Sequence, residues 1–288
     1  MSPLRYPGGK GKLAAYLKAV IRSNRLFDRT YVEPFAGGGG VGLALLLNGY
    51  VNHIVLNDLS RPIYAFWHAI LYETNRFEER ISTVALTINE WEQQRNTFRA
   101  ASSDLFDLGF ATFYLNRTNH SGVLNGGMIG GYSQKSTYGL DARFNRQELV
   151  ARVRRIGKNS RRITIRNDDA ASLLQDLPSI TGEPNPLLYI DPPYYTKGRD
   201  LYYDFYSQED HTSLRDVIDT LDNNVAWVVS YDNASEIARL YSHRRSLVYD
   251  LSYSVRNGRV GRELMFFSDH LMIPDLSEGG LVDLQAAA

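Results

Sequence analysis

Cysteine is absent from the 288-residue chain, which excludes disulfide bonds, thiolate metal sites and any mechanism that uses a cysteine nucleophile. Net charge is absent too, because 32 lysines and arginines balance 32 aspartates and glutamates. A polyanionic partner would therefore be held by a local basic patch and not by the field of the whole molecule. No apolar run approaches the roughly 20 residues of a membrane-spanning helix, and the first residues do not form a signal peptide. We expect a cytoplasmic protein with no membrane partner.

Paired metal ligands are also missing, because the six histidines show no ligand spacing. No metal is expected. What the sequence does contain is a pattern of short strands and helices. Strands are predicted at residues 30–35, 53–58, 162–166, 187–190, 226–230 and 263–267, and helices at residues 12–21, 41–47, 63–72, 87–98 and 110–114.

The strand signal fades between residues 59 and 144, where helical stretches lead into a segment rich in glycine. Asn125-Gly126-Gly127 and Gly130-Gly131 indicate a β-hairpin there. The pattern is typical of a parallel-type α/β core interrupted by a mostly helical insert. We expect a core domain of residues 1–60 and 145–275, an insert of residues 61–144, and a loosely held tail of residues 276–288.

A glycine turn follows the first strand. Gly37-x-Gly39-x-x-Gly42 fits the dinucleotide-binding fingerprint, and Asp58 follows about 20 residues later, after the second strand. Glycines let a cofactor approach the backbone, and the carboxylate can accept hydrogen bonds from two ribose hydroxyls. A nicotinamide dinucleotide and S-adenosylmethionine both fit this architecture. Glu33 and Pro34, just before the turn, favour the second, because a dehydrogenase usually needs no acid there; Glu33 would order the loop or face the cationic side of the cofactor.

The residues Asp191-Pro192-Pro193-Tyr194 follow a short buried strand, at the edge where α/β sheets bind ligands. An exocyclic amine on an aromatic ring is a poor nucleophile, because its lone pair is delocalised into the ring. The Asp191 carboxylate and the Pro192 carbonyl can accept hydrogen bonds from its two N–H groups and aim the lone pair at an electrophile. The prolines stiffen the turn and donate no hydrogen bond, and Tyr194 can stack on an extruded base. We predict that these four residues are catalytic.

Side chains suited to DNA lie in three places: the glycine-rich hairpin, a basic cluster from residue 143 to residue 166, and a segment after the proline pair that mixes basic and aromatic residues. A solvated helix face explains the basic cluster equally well. The predicted DNA contacts are Arg117, Asn119, Asn125, Tyr132, Lys135, Arg143, Lys197 and Arg199.

Five short segments along the chain together form a recognisable series of motifs. They are Leu4-Arg5-Tyr6-Pro7-Gly8-Gly9-Lys10, Tyr31-Val32-Glu33-Pro34-Phe35-Ala36-Gly37-Gly38-Gly39, Leu56-Asn57-Asp58, Tyr114-Leu115-Asn116-Arg117 and Asp191-Pro192-Pro193-Tyr194. Together, over residues 4 to about 267, they resemble the Dam-like D12 class of DNA N6-adenine methyltransferases. The resemblance implies a Rossmann-like methyltransferase core that depends on S-adenosylmethionine, and it implies that the insert is the target-recognition domain.

The resemblance also implies a set of cofactor contacts. The glycine turn and Phe35 would form the floor of the S-adenosylmethionine site. Asp169 matches the acid that would face the adenine of the cofactor, and Asp168 is the alternative. The predicted cofactor contacts are Tyr6, Lys10, Glu33, Pro34, Phe35, Gly37, Gly39, Asp58, Asp168, Asp169 and Asp191.

We therefore expect a site-specific methyltransferase that acts on double-stranded DNA and transfers a methyl group directly to N6 of a flipped-out adenine. Members of the class that read GATC carry Asn-Gly-Leu-x-Arg where this chain has Ser121-Gly122-Val123-Leu124-Asn125. The base-reading arginine is missing, so the recognition sequence is left open, as is any restriction partner. An N4-cytosine or RNA amine methyltransferase is an alternative, and an NAD-dependent dehydrogenase is another.

Overall fold

The computed structural model describes residues 1–5, 11–101, 104–195, 206–221, 223–252 and 260–281. The chain divides into two compact units. We call Met1–Pro7 with Ser60–Ile165 the helical unit, and Gly8–Leu59 with Arg166–Ala288 the sheet unit. The helical unit thus extends to Ile165, beyond the end at residue 144 that the sequence predicts for the insert. In the described part of the chain, no helix is both long and apolar enough to cross a membrane.

The strands are short and largely buried. They are β1 (Thr30–Glu33), β2 (His53–Asn57), β3 (Ile163–Arg166), β4 (Leu187–Ile190), β5 (Ala226–Asp232), β6 (Arg245–Ser252) and β7 (Val260–Phe267). Across the described residues they form one seven-stranded sheet in the order β3-β2-β1-β4-β5-β7-β6. Strands β2, β1, β4 and β5 run parallel, whereas β7 is antiparallel to β5 and β6. This α/β order with a parallel centre is Rossmann-like, so the predicted fold class is confirmed.

Helices connect these strands and build the helical unit. The α-helices are α1 (Gly11–Asn24), α2 (Gly40–Leu47), α3 (Arg61–Tyr72), α4 (Thr74–Thr83), α5 (Ile88–Arg99), α6 (Leu105–Thr118), α7 (Arg146–Gly157), α8 (Ala170–Gln175), α9 (Leu177–Thr181), α10 (Gln208–Asp219) and α11 (Ser235–Leu240). Short 3₁₀ helices lie at His120–Gly122, Leu140–Arg143, Ser160–Arg162 and Leu276–Gly279.

The core of the sheet unit is apolar on both faces of its central strands. Every residue of β1 and β4 is buried, which explains why both strands read as continuous apolar runs and not as an alternation. Helix α2 is apolar along almost its whole length and is buried beside them. Helix α10 begins at a capping box in which Ser207 and Asp210 exchange hydrogen bonds. The two central strands that carry the candidate site are therefore buried along their whole length.

The helical unit has an aromatic core. Phe77 packs with its ring centroid 5.4 Å from that of Phe110 and 5.3 Å from that of Phe113. Helices α3 and α6 approach so closely at Gly109 that a Cβ atom there would lie 2.3 Å from the carbonyl oxygen of Ala65. The absence of a side chain at residue 109 is therefore a condition of this packing.

The glycine-rich hairpin predicted in the insert is reduced to a single antiparallel bridge between Asn119 and Met128, followed by turns. Gly130 and Gly131 have φ values of +85° and +60°, which strand residues do not adopt. The Gln134 side chain ties this segment together, since its amide donates to Ile129 and Gly131 carbonyls at 2.9 and 2.6 Å. The segment is a compact hydrogen-bonded loop.

The beginning of the predicted tail is better held than the sequence suggests. Tyr16 is buried in α1, and its hydroxyl donates to the carbonyl of Pro274 at 2.9 Å. Gly279 lies directly against Tyr16, where a Cβ atom would be 2.5 Å from the Tyr16 Cα. Leu281 is also buried. The expectation of a loosely held tail is therefore wrong for residues 276–281, and residues 282–288 lie outside the described part of the chain.

Candidate active site

The glycine turn has the backbone geometry that its sequence predicts. Gly37 and Gly39 both have left-handed conformations, with φ values of +46° and +55°. Gly39 donates to the carbonyl of Ala36 at 2.7 Å and immediately precedes α2. A Cβ atom on Gly40 would meet no protein atom within 4 Å, so there is open space beside the first residue of α2. The turn leaves room for a ligand against the backbone, as an adenosyl cofactor requires.

Glu33 orders this turn. Its side chain is 4% exposed, and Oε1 accepts hydrogen bonds from the Tyr31 hydroxyl at 2.8 Å and from the Gly42 amide at 2.7 Å. Burial, together with the nearby Glu33 carboxylate, raises the pKa of Tyr31 well above its ordinary value. Of the two roles that the sequence leaves open for Glu33, these bonds support the ordering of the loop.

Asp58 and Asn57 connect neighbouring strand ends. The Asp58 carboxylate accepts a hydrogen bond from the Gly37 amide at 2.8 Å. The Asn57 side chain is fully buried, and its amide donates to the carbonyls of Pro34 and Asp168, both at 2.9 Å. Its own side-chain oxygen accepts from the Asp168 amide at 2.9 Å. The ends of β1 and β2 and the residues after β3 are thus joined through one carboxamide.

The two acids after β3 have different partners. Asp168 forms a salt bridge in which Arg166 Nε lies 2.7 Å from Oδ2. Asp169 caps α8, where its side chain accepts from the Ser172 amide at 3.0 Å. Burial, and next the Asp169 charge, raise the pKa of Tyr206, and the ring of Tyr206 packs edge-on against Phe35. Phe35 therefore contacts the Tyr206 ring, and the prediction that Asp169 faces a cofactor adenine stays a prediction.

The catalytic candidates lie at the carboxyl end of β4. Strand β4 pairs with β1 through Tyr31 with Leu187 and Val32 with Leu188, so both strands end at the same sheet edge. There the Asp191 side chain, half-buried, accepts a hydrogen bond from Ser230 Oγ at 2.8 Å. The acidic residue predicted to orient an amine therefore lies on the strand adjacent to the one that carries the glycine turn.

The proline pair and Tyr194 continue from this strand end. Pro192 and Tyr194 are buried, whereas Pro193 is partly exposed. The Tyr194 hydroxyl donates to Glu263 Oε1 at 2.7 Å, and Oε2 of the same glutamate accepts from the Tyr249 hydroxyl at 2.7 Å. Much of the Tyr194 ring is covered by protein, and its predicted stacking on an extruded base stays a prediction.

Sequence reasoning missed the buried polar residues behind this edge. Glu263 is 1% exposed and binds two tyrosine hydroxyls. A single acid in the apolar strand Val260–Phe267 was a usable signal, because a buried carboxylate needs hydrogen-bond donors. In the sequence Asn57 stands out only as a member of the Leu56-Asn57-Asp58 motif, and nothing distinguishes Ser230 from any serine at the end of a strand.

The predicted DNA contacts in the helical unit fall into two groups. Asn125, Tyr132, Lys135 and Arg143 are exposed. Arg117 and Asn119 are buried, which disagrees with their predicted role.

The buried pair has structural partners. Arg117 donates through Nε to the Pro3 carbonyl at 2.7 Å, and burial lowers its pKa to about 10. The side-chain oxygen of Asn119 accepts from Trp91 Nε1 at 2.7 Å, and its amide donates to the Val123 carbonyl at 2.9 Å. Both side chains fix the N-terminal segment and the glycine-rich loop, so sequence reasoning mistook two structural residues for DNA contacts.

Four further candidates, Tyr6, Lys10, Lys197 and Arg199, lie outside the described residues. Among the described residues, no group of three or more histidine, aspartate or glutamate side chains is placed to hold a metal ion.

A model of the D12 class N6 adenine-specific DNA methyltransferase family matches residues 6–255 of the chain. The chain is also 21% identical over 293 residues to the Type II methyltransferase M.CviBI of Paramecium bursaria Chlorella virus NC1A, a match that covers 95% of this chain and 99% of the viral protein.

Solved structures with a similar arrangement include the rRNA methyltransferase aviRa of Streptomyces viridochromogenes, with a TM-score of 0.41, 11% identity, and coverage of 96% of this chain and 90% of that one. TrmN of Thermus thermophilus gives a TM-score of 0.38 at 11% identity, over 90% of this chain and 53% of that one.

Proposed function

The chain belongs to the D12 class N6 adenine-specific DNA methyltransferase family, and from this premise we propose that it transfers a methyl group from S-adenosylmethionine directly to N6 of an adenine flipped out of double-stranded DNA. The observation that carries the proposal is the Asp191 carboxylate at the end of β4, beside the glycine turn that follows β1. Family membership leaves the NAD-dependent dehydrogenase alternative without support.

The residues present fit an adenosyl cofactor. The left-handed glycines and the open space beside Gly40 allow a ligand to approach the backbone at the start of α2. Asp58 holds the turn through the Gly37 amide, and a carboxylate has acceptor capacity for ribose hydroxyls in addition. Phe35 and Asp169 would contact the adenine end. When bound, S-adenosylmethionine supplies a sulfonium-activated methyl group.

The chemistry of the chain's own residues is positioning. Asp191 and the Pro192 carbonyl would accept hydrogen bonds from the two N–H groups of adenine N6, which turns the nitrogen toward tetrahedral geometry and directs its lone pair. The carboxylate also stabilises the positive charge that develops on nitrogen during transfer. The prolines hold the carbonyl without an N–H donor of their own to compete.

The first test is the product of the reaction. The protein and labelled S-adenosylmethionine are incubated with unmethylated duplex DNA in one reaction and with total RNA in another. The nucleic acids are then digested to nucleosides for mass spectrometry. We expect N6-methyladenine from DNA. N4-methylcytosine, or label in RNA alone, would replace the proposal with one of the amine-methyltransferase alternatives. Single-molecule sequencing of DNA from expressing cells then gives the recognition sequence.

The second test is Asp191→Ala. Because Asp191 lies at a strand end and is only half-buried, we expect the variant to fold normally and to lose methyl transfer by at least about 100-fold in kcat. Asp216→Ala is a control, since this exposed carboxylate of the same unit lies on α10 and pairs with its neighbour Arg215. Turnover of Asp191→Ala at the wild-type rate would refute the amine-orienting role.

A further inference from the structure

Two buried hydroxyls, those of Tyr189 and Ser230, are hydrogen-bonded in series to the Asp191 carboxylate. Strands β4 and β5 are parallel with Ile190 opposite Val229, which brings the following residues, Asp191 and Ser230, level with each other. Ser230 is 1% exposed, and its Oγ donates to Asp191 Oδ1 at 2.8 Å. The buried Tyr189 hydroxyl lies 2.7 Å from the same Ser230 Oγ.

The direction of these hydrogen bonds follows from proton counting. A serine hydroxyl has one proton, and Ser230 donates it to the carboxylate. Tyr189 must then be the donor to Ser230. The order is Tyr189 to Ser230 to Asp191, and each donor strengthens the next through polarisation.

These hydrogen bonds matter for the proposed reaction, because it depends on the orientation of the Asp191 carboxylate. The terminal torsion of an aspartate is broad and roughly two-fold, so an unsupported carboxylate samples a range of orientations. An amine held by the carboxylate and by one backbone carbonyl requires a narrow one, because small errors in orientation reduce the rate severely. We propose that Ser230, supported by Tyr189, is a positioning residue that fixes the orientation of the Asp191 carboxylate for the target amino group. The inference rests on the proposed function.

The main test compares Ser230→Ala with Ser268→Ala in steady-state methylation of duplex DNA. Ser268 is a matched control, because it is also a buried serine bonded to β5, through the Trp227 amide at 3.3 Å, and it has no bond to Asp191. We expect Ser230→Ala to lower kcat by roughly 10- to 100-fold, the value of one hydrogen bond to a charged group, with both KM values within about twofold of wild type. Ser268→Ala should keep the wild-type kcat.

A pH profile separates positioning from a merely structural role. Loss of the Ser230 donor makes the Asp191 carboxylate easier to protonate, so the acidic limb of the kcat profile should move to higher pH in Ser230→Ala and stay in place in Ser268→Ala. Tyr189→Phe, which retains the serine hydroxyl, should lower kcat by only a few-fold. This variant also serves as the test if Ser230→Ala does not fold.

Failure of this inference can be distinguished from failure of the proposed function. If the wild type is active and Ser230→Ala keeps the wild-type kcat, or changes only KM, the inference is overturned and the proposed function remains intact. If the wild type does not methylate DNA, crystal structures of the two serine variants decide: Asp191 should occupy more than one rotamer in Ser230→Ala and a single rotamer in Ser268→Ala. One unchanged rotamer in both would overturn the inference.

Discussion

His211 is a buried titratable residue for which the proposed reaction has no use. Its Nδ1 lies 3.0 Å from the Tyr231 hydroxyl, whereas Nε2 is buried without a hydrogen-bond partner. Burial lowers the pKa of His211, and the charges of Asp232 and Asp210 only partly oppose this. The neutral ring is therefore the form that the folded sheet unit accommodates.

This makes stability sensitive to mild acid. Because the folded-state pKa of His211 lies below the unfolded value of about 6.5, the unfolded chain binds the proton more readily, and stability is lost as the pH falls below about 6.5. We expect the free energy of unfolding, from urea titrations at pH 7.5 and pH 5.5, to decline less in His211→Gln than in wild type, by up to about 1.4 kcal/mol per pH unit. Equal declines would show that His211 is not the responsible group.

The candidate site residues were easier to select from the sequence than the residues that hold them in place. Asp191 and the glycines of the turn belong to short motifs whose chemistry can be read directly. Ser230 on β5 and Glu263 on β7 bond to Asp191 and Tyr194, and these contacts depend on strand order, which no local pattern specifies. The errors at Arg117 and Asn119 have the same origin, because polar residue type alone does not indicate whether a side chain is buried.

At the scale of elements, the contact between α3 and α6 depends on one glycine. An alanine in a helix interior is ordinarily favoured over glycine by about 1 kcal/mol. At Gly109 the added Cβ would lie 2.3 Å from the Ala65 carbonyl oxygen, and backbone cannot move aside cheaply. Overpacking typically costs about 1–3 kcal/mol, and a contact this short with backbone belongs to the upper part of that range, about 2–3 kcal/mol, so the clash outweighs the gain in propensity.

We therefore expect Gly109→Ala to lower the free energy of unfolding by roughly 1–2 kcal/mol in urea titrations. Gly127→Ala is the matched control, because a Cβ atom there would meet nothing within 4 Å and the helical unit should tolerate it. A Gly109→Ala variant as stable as wild type would mean that α3 and α6 can separate without cost.

The elements that sequence predicted best are the buried parallel strands. The bounds of β4 agree at both ends, and β1 and β2 begin where predicted, because continuous β-branched and aliphatic runs are distinctive. Helices α4 and α7 were missed, since charged residues dominate them and only a narrow apolar face remains. Strand β6 was missed too, because its sequence RSLVYDLS has neither a regular polar and apolar alternation nor a long apolar run, and it lies at an edge of the sheet.

At the scale of the whole molecule, the absence of net charge means that DNA binding depends on individual exposed cations. Much of the basic cluster predicted around α7 is already paired, as in the salt bridge between Arg154 and Glu78 at 2.5 Å. Arg143 is exposed, and its side chain is a candidate for a phosphate contact. Part of the basic cluster between residues 143 and 166 is therefore a solvated helix face with paired charges, the alternative to a DNA contact.

Salt dependence measures such a contact. Each phosphate neutralised contributes about 0.9 to the slope of log K against log salt concentration. We expect Arg143→Ala to reduce the slope for duplex DNA by about one, measured by fluorescence anisotropy over a series of salt concentrations. Arg154→Ala is the control and should leave the slope unchanged. An equal reduction in both variants would indicate a diffuse charge effect and not a defined contact.

The order of residues along the chain has a consequence for biosynthesis. Both segments of the helical unit precede residue 166, whereas the centre of the sheet pairs β1 with β4, some 150 residues later in the chain. On the ribosome, the helical unit is available to fold as soon as Ile165 emerges, since its contacts are all upstream. Strand β1 can pair with β2 early, but its other edge has no partner until β4 has been synthesised. A nascent chain that ends between these points therefore exposes an unpaired edge of β1, to which another chain could pair.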